Sequence, residues 1–242
     1  MLLTIFIVAV LAIVQSLFGV GLLVFGTPTL LLLGHSFAGA LAILLPASIT
    51  ISVLQVWKSG GQDAAFTRVF AGWCLVPMAA SLAAILLLDL RASLNMAVAL
   101  LLLVFVVLRS DRALDAWAHE WVGRHDRVWL LVMGLVHGAS NLGGALLLVF
   151  AATRSRSKED IRAVIAFCYA CFAAVQLTVL AAVTPSMFSW SQVGYGAVAA
   201  IVFLLVGQRM FRWVPAPAFD SLLTLLAGAY AGLLGLRAAG LF

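Results

Sequence analysis

Charge is scarce in this chain. Of its 242 residues, 10% are Asp, Glu, Lys or Arg and 65% are apolar. A soluble domain runs nearer a quarter charged and half apolar, so an all-aqueous surface is excluded. No Lys or Arg falls in the middle of an apolar run. No His cluster has metal-ligand spacing, no acidic pair sits within an apolar run, and no ATP-binding loop occurs. Those absences leave no enzyme signature, no metal site and no cofactor to expect. Cysteine is equally sparse, and Cys74, Cys168 and Cys171 all lie in apolar runs. Cys168-Tyr-Ala-Cys171 has the spacing of a redox pair, but positions three apart are neighbours on any helix, and packing explains them as well.

What remains is hydrophobic length. The mean hydropathy is +1.18, and about 20 apolar residues cross a bilayer as a helix. Eight spans are predicted at 2–25, 36–57, 65–88, 92–109, 128–152, 160–183, 191–208 and 217–238. Helices are required because the hydrocarbon core cannot satisfy a free strand edge. The first apolar run has no basic region before it and reads as a span, not a cleaved signal. The only long polar stretch is Ser110–Arg127, where Leu114, Trp117, Trp121 and Val122 recur at helical spacing. It is a solvated linker or a short amphipathic surface helix. The expected fold is therefore an all-α integral membrane protein with eight transmembrane helices in two four-helix repeats, residues 1–109 and 128–242, joined by the polar linker 110–127. The net charge of +5 reflects topology and anionic lipid, not nucleic acid. Seven of the 14 basic residues fall on each side of this arrangement, so they do not orient it.

Two glycine-rich segments interrupt the apolar runs. The first is Gly19-Val-Gly21-Leu-Leu-Val-Phe-Gly26-Thr27-Pro28, and the second is Gly134-Leu-Val-His137-Gly138-Ala-Ser140-Asn141-Leu-Gly143-Gly144. They predict a broken first helix in each repeat. Leu2 to Leu33 as one helix would be roughly 48 Å long, well beyond a core of about 30 Å. Gly26-Thr-Pro-Thr-Leu aligns with Gly143-Gly-Ala-Leu-Leu, and Gln55 with Gln176 if the second half carries four extra loop residues. Four spans per half would bring both halves in from the same side, as parallel repeats.

The broken first span, the Gly60-Gly61-Gln62-Asp63 turn and the Leu-Arg endings of both halves (Leu108-Arg109 and Leu236-Arg237) resemble the TauE/SafE family of sulfite and organosulfonate exporters. The resemblance covers nearly the whole chain. It implies a bacterial inner-membrane protein with both termini cytoplasmic, and with Lys58–Arg68 and the central linker on that side. It also implies an exporter of a small anion.

The breaks have chemistry to match. A helix interrupted at mid-bilayer exposes backbone N–H groups where it restarts, and its dipole favours an anion there. Two facing breaks would hold sulfite or a sulfonate without a buried basic side chain. The candidate binding residues are Gly21, Gly26, Thr27 and Pro28 at the first break. At the second they are His137, Gly138, Ser140, Asn141, Gly143 and Gly144, joined by the intramembrane amides Gln55 and Gln176. Close helix packing competes for the glycines, and Gly134-x-x-x-Gly138 has that spacing. His137 either couples transport to protons or is a neutral core histidine. The expected partners are a small anion, membrane lipid, protons as candidate coupling ion, and a second copy of the chain as candidate subunit. The function expected is secondary transport by alternating access. The alternatives are a membrane thiol-redox protein using Cys168 and Cys171, and a non-transporting scaffold subunit.

Overall fold

The computed structural model describes residues 2–88, 100, 103, 107, 112–154, 157–213 and 225. The expected spans at 92–109 and 217–238 lie almost entirely outside the described residues. Within them all regular structure is helical: α1 (Leu2–Phe18), α2 (Leu22–Leu32), α3 (Phe37–Ser59), α4 (Ala64–Leu88), α5 (Arg112–Arg124), α6 (Asp126–Ser140), α7 (Gly144–Arg154), α8 (Lys158–Val183) and α9 (Ser191–Trp213). Four of these, α3, α4, α8 and α9, are long and apolar enough to cross a membrane. Large apolar side chains face outward, with Leu2 81%, Val76 65% and Leu205 63% exposed. Such a surface suits lipid, not water.

The first apolar stretch breaks, but earlier than Gly26-Thr27-Pro28. Gly19 takes φ +72, which ends α1, and its N–H bonds back to the Gln15 carbonyl at 2.8 Å. A left-handed backbone there is the usual helix terminator. The chain then folds back on α1. A Cβ at Gly21 would lie 2.9 Å from a Val14 methyl, and one at Gly26 would lie 3.1 Å from a Leu11 methyl. So α2 runs antiparallel to α1 as a hairpin, with Thr27 and Pro28 inside it.

The second break follows the same design. Asn141 has φ 64 and donates its N–H to the His137 carbonyl at 2.7 Å. Beyond it, α7 returns along α6, and Trp129 Nε1 donates to the Leu146 carbonyl at 3.1 Å. The correspondence runs at a constant offset. Gly19 matches Asn141, and Gln15 matches His137. The Phe25 N–H to Gly21 carbonyl bond at 2.9 Å matches Leu147 to Gly143 at the same length. Gly143 therefore pairs with Gly21, not with Gly26 as the apolar runs had implied.

The helices that follow are also alike. α3 is capped by Ser36, which accepts from the Gly39 N–H, and α8 by Ser157, which accepts from the Asp160 N–H. Gln55 and Gln176 stand equally far beyond those caps. Both α4 and α9 contain a π-helical turn, at Ala71–Leu75 and Phe203–Gly207. Each hairpin stem packs on the other half at such a turn or next to it. A Cβ at Gly134 of α6 would collide with the Cys74 carbonyl of α4, and one at Gly138 with Met78 and Ser81. Gly207 of α9 leaves no room for a side chain against Ser16 of α1.

These contacts fix directions. The last turn of α3, the start of α8 and the end of α9 line one cavity, so α3 and α8 run antiparallel. The stem α6 runs parallel to α4, as the Gly134–Cys74 and Gly138–Met78 pairs require. The parallel relation between halves inferred from an even span count does not hold for these helices. Its physical reason is that each broken first helix turns back instead of crossing.

The hairpins also redistribute charge. Lys58, Arg162 and Arg212 share that cavity. Arg154 stacks its guanidinium 4.6 Å from the Phe66 ring at the start of α4, and Arg127 lies 6.0 Å from Trp73. Arg68, Arg124, Lys158 and Arg209 lie on the adjoining turns. All nine stand at one end of the described bundle. The tip of α1 points to that end, since Gly19 abuts Arg162 and Ile165, so Leu2 lies at the other. The N-terminus and the Lys58–Arg68 turn are thus at opposite ends, which corrects the expectation that they share a side. Within the linker, α5 is an ordered helix with Val122 buried and Trp121 6.0 Å from Trp129.

Candidate functional site

The second hairpin tip gathers a polar cluster inside an apolar core. Asn141 Nδ2 donates to Thr27 Oγ1 at 2.8 Å, and Gln176 Nε2 donates to Asn141 Oδ1 at 3.2 Å. This chain links α2 of the first hairpin, the tip of the second, and α8. Around it stand His137 and Tyr169, with the imidazole stacked 4.1 Å from the Phe172 ring and edge-on to Tyr169 at 6.1 Å. Thr27, His137, Asn141, Tyr169 and Gln176 are all 0% exposed.

The cluster is under-satisfied. Neither ring nitrogen of His137, nor Tyr169 Oη, nor Gln176 Oε1 makes a hydrogen bond among the described residues. Gln176 does lie beside the imidazole. Buried polar atoms are nearly always paired, and each unpaired one costs about 1–3 kcal/mol. Several unpaired donors and acceptors on one surface are what a polar ligand requires.

Backbone joins them. Gly143 and Gly144 lie flush against the cluster. A Cβ at Gly143 would crowd the His137 ring, and one at Gly144 would collide with Tyr169 Oη and lie 2.7 Å from a Val24 methyl. Val24 is in the first turn of α2 and Gly144 opens α7, so two helix starts meet here. The first intrahelical bonds are donated by the N–H groups of Phe25 and Leu147, leaving the preceding amides without helical acceptors.

The structure thus brings Thr27, His137, Asn141, Gly143, Gly144 and Gln176 together. It does not bring the other candidates to them. Gly21 packs within the first hairpin, Gly26 lies against Leu44 of α3 and Leu11 of α1, Pro28 is buried in α2, and Gly138 seats α6 on α4. Ser140 serves the turn itself, donating to the Val136 carbonyl at 2.7 Å and accepting from the Leu142 N–H at 3.3 Å. Gln55 faces the separate cavity at the basic end.

Tyr169, which the sequence offers as a path-lining residue or an ordinary amphipathic aromatic, contributes an unpaired hydroxyl to the cluster. One residue escaped the sequence reading. Gln15, the counterpart of His137, donates to Ser48 Oγ at 3.1 Å and Ser52 Oγ at 3.2 Å. Those serines therefore serve a bridge between α1 and α3. The available signal was position, since Gln15 stands as far before Gly19 as His137 does before Asn141. Cys168 and Cys171 are free thiols on α8, Cys168 fully buried in apolar packing.

No curated protein and no solved structure matches the chain. One family model does, over residues 4–237, nearly the full length. Hairpin breaks, an apolar outer surface and a buried polar cluster are thus those of an integral membrane protein, and the chain belongs to the sulfite exporter TauE/SafE family.

Proposed function

We propose that this protein is a secondary transporter that exports a small sulfur oxyanion, sulfite or an organosulfonate, by alternating access at the paired hairpin tips. The observation that carries the reading is the meeting of two helix starts at Val24 and Gly144, beside the chain Thr27–Asn141–Gln176. Helix N-termini offer free N–H groups and positive field. The amides, the Tyr169 hydroxyl and the imidazole add side-chain donors without a buried cation. Broken helices meeting at a repeat interface are the common construction of transporter binding sites.

In this reading the chain forms eight membrane segments in two halves. Because α3 and α8 are antiparallel, the halves are an inverted pair about an axis in the membrane plane. The end carrying Lys58, Arg68, Arg124, Arg127 and Arg154 faces the cytoplasm by the positive-inside rule, which puts Leu2 on the far side. His137 is the group we assign to proton coupling, because it is a buried titratable side chain in direct contact with the cluster. A thiol-relay function is disfavoured by the enclosure of Cys168.

The test is flux of sulfite in proteoliposomes containing the purified full chain, with a proton gradient imposed in either direction. Uptake or efflux that Asn141→Ala abolishes in a folded protein supports the reading. A well-folded preparation with no flux and no thermal stabilisation by sulfite, sulfoacetate, taurine or sulfate overturns it.

A further inference from the structure

A second polar surface lies away from the hairpin cluster. At the basic end, α3, α8 and α9 enclose an open cavity of about 510 Å³. Its described wall carries Lys58, Arg162 and Arg212 against one carboxylate, Glu159. Gln55, one turn deeper on α3 than Lys58, completes the wall. It is 4% exposed, and neither its amide nitrogen nor its oxygen has a hydrogen-bond partner among the described residues. Gln208 in the same wall has an unpaired Nε2.

Two of the three cations lie over aromatic faces. Arg162 Cζ lies 3.4 Å from the Phe211 ring centre and Lys58 Nζ lies 5.9 Å from that of Phe203. Such contacts position a cation without cancelling its charge. The start of α8 borders the space and adds the positive end of its dipole. The first hairpin tip stands directly behind, with a Gly19 Cβ position 3.5 Å from Arg162 Cγ.

Comparison with the matched positions explains why Gln55 is unpaired. Gln176 donates to Asn141 at its tip. The residue matching Asn141 at the first tip is Gly19, which has no side chain to receive Gln55. The positions matching Lys58 and Arg162 in the other half are Val179 and Leu41, so these two charges have no counterpart at the matched positions.

We propose that this cavity is a capture site for a small free oxyanion with a sulfite- or sulfonate-like head. The anion is attracted by Lys58, Arg162 and Arg212 and hydrogen-bonded by Gln55 before it reaches the hairpin tips. The inference rests on the transport reading for its purpose, but its binding step is testable alone. A few fixed charges in a cleft raise local anion concentration by about tenfold or more.

The experiment uses the full-length protein in lipid-free detergent with Ser59→Cys, in the cavity wall. Its modification by anionic iodoacetate and neutral iodoacetamide is compared, each normalised to free cysteine, with the parent protein as background. The expected result is about tenfold preference for iodoacetate and slowing by methanesulfonate beyond that of chloride at equal ionic strength. Arg162→Gln, or Lys58→Gln should the first not fold, reduces the preference. Gln55→Leu removes methanesulfonate protection and leaves the preference. Equal normalised rates, or protection no greater than by chloride, overturn the proposal. Protection appearing only in phosphatidylglycerol nanodiscs also overturns it, and identifies a lipid headgroup site. Protection without sulfite flux in proteoliposomes sinks the transport reading and leaves the cavity as a binding site. Flux with neither preference nor protection sinks the cavity alone.

Discussion

Gly19 and Asn141 hold the same left-handed backbone turn at corresponding hairpin tips, and only Asn141 carries a side chain. Its amide ties Thr27 to Gln176, while the glycine leaves Gln55 unpaired. Backbone symmetry and chemical asymmetry coexist at one pair of positions.

Replacing Asn141 separates its two roles. Asn141→Gly keeps the turn and loses two hydrogen bonds, at about 1 kcal/mol each. Asn141→Ala loses the same bonds and adds left-handed strain of about 1 kcal/mol or more. Thermal unfolding in detergent should rank wild type above Gly above Ala. An alanine variant as stable as the glycine variant would show that the turn is not held in this conformation.

Gly144→Ala should destabilise by about 1–3 kcal/mol through overpacking, since its Cβ would meet Tyr169 Oη. Adding Tyr169→Phe should recover part of that loss. A double-mutant cycle on melting temperature checks it, and strict additivity would mean the two residues do not touch.

Hairpin topology predicts sidedness. A cysteine at Gly61, where a Cβ has open space, should be labelled by an impermeant maleimide only from the cytoplasmic face. One at His35, in the turn before α3, should be labelled only from the opposite face. Labelling of both from one side would contradict the arrangement.

The thiols should be dispensable. Cys168→Ser with Cys171→Ser should leave sulfite flux within about twofold, at a modest cost from placing a buried hydroxyl in apolar packing. Complete loss of flux in a folded double variant would restore the redox alternative.

The membrane class and the second break were readable because composition and Asn141-Leu-Gly143 are local signals. The first break falls at the head of its glycine-rich segment, at Gly19–Gly21, and not at Gly26-Thr27-Pro28. Proline is tolerated within α2, whereas the fold-back needs Gly19 for its φ and Gly21 for the close approach of Val14. Reading the second hairpin, 128–152, as one crossing span inverts α8 and α9, which sets Arg154, Lys158, Arg162, Arg209 and Arg212 opposite Lys58, Arg68, Arg124 and Arg127 and produces the even split. The union of Thr27 with Asn141 was invisible for a different reason, since the two are joined only by tertiary packing.

The lopsided tips have an energetic consequence. Two hydrogen bonds fasten the second hairpin, whereas the Gln55 amide beside the first makes none. A difference of about 2 kcal/mol corresponds to a population ratio of roughly thirty to one. Opening the second tip therefore costs hydrogen bonds that opening the first does not, and a ligand that parts Asn141 from Thr27 or Gln176 must replace them to offset that cost.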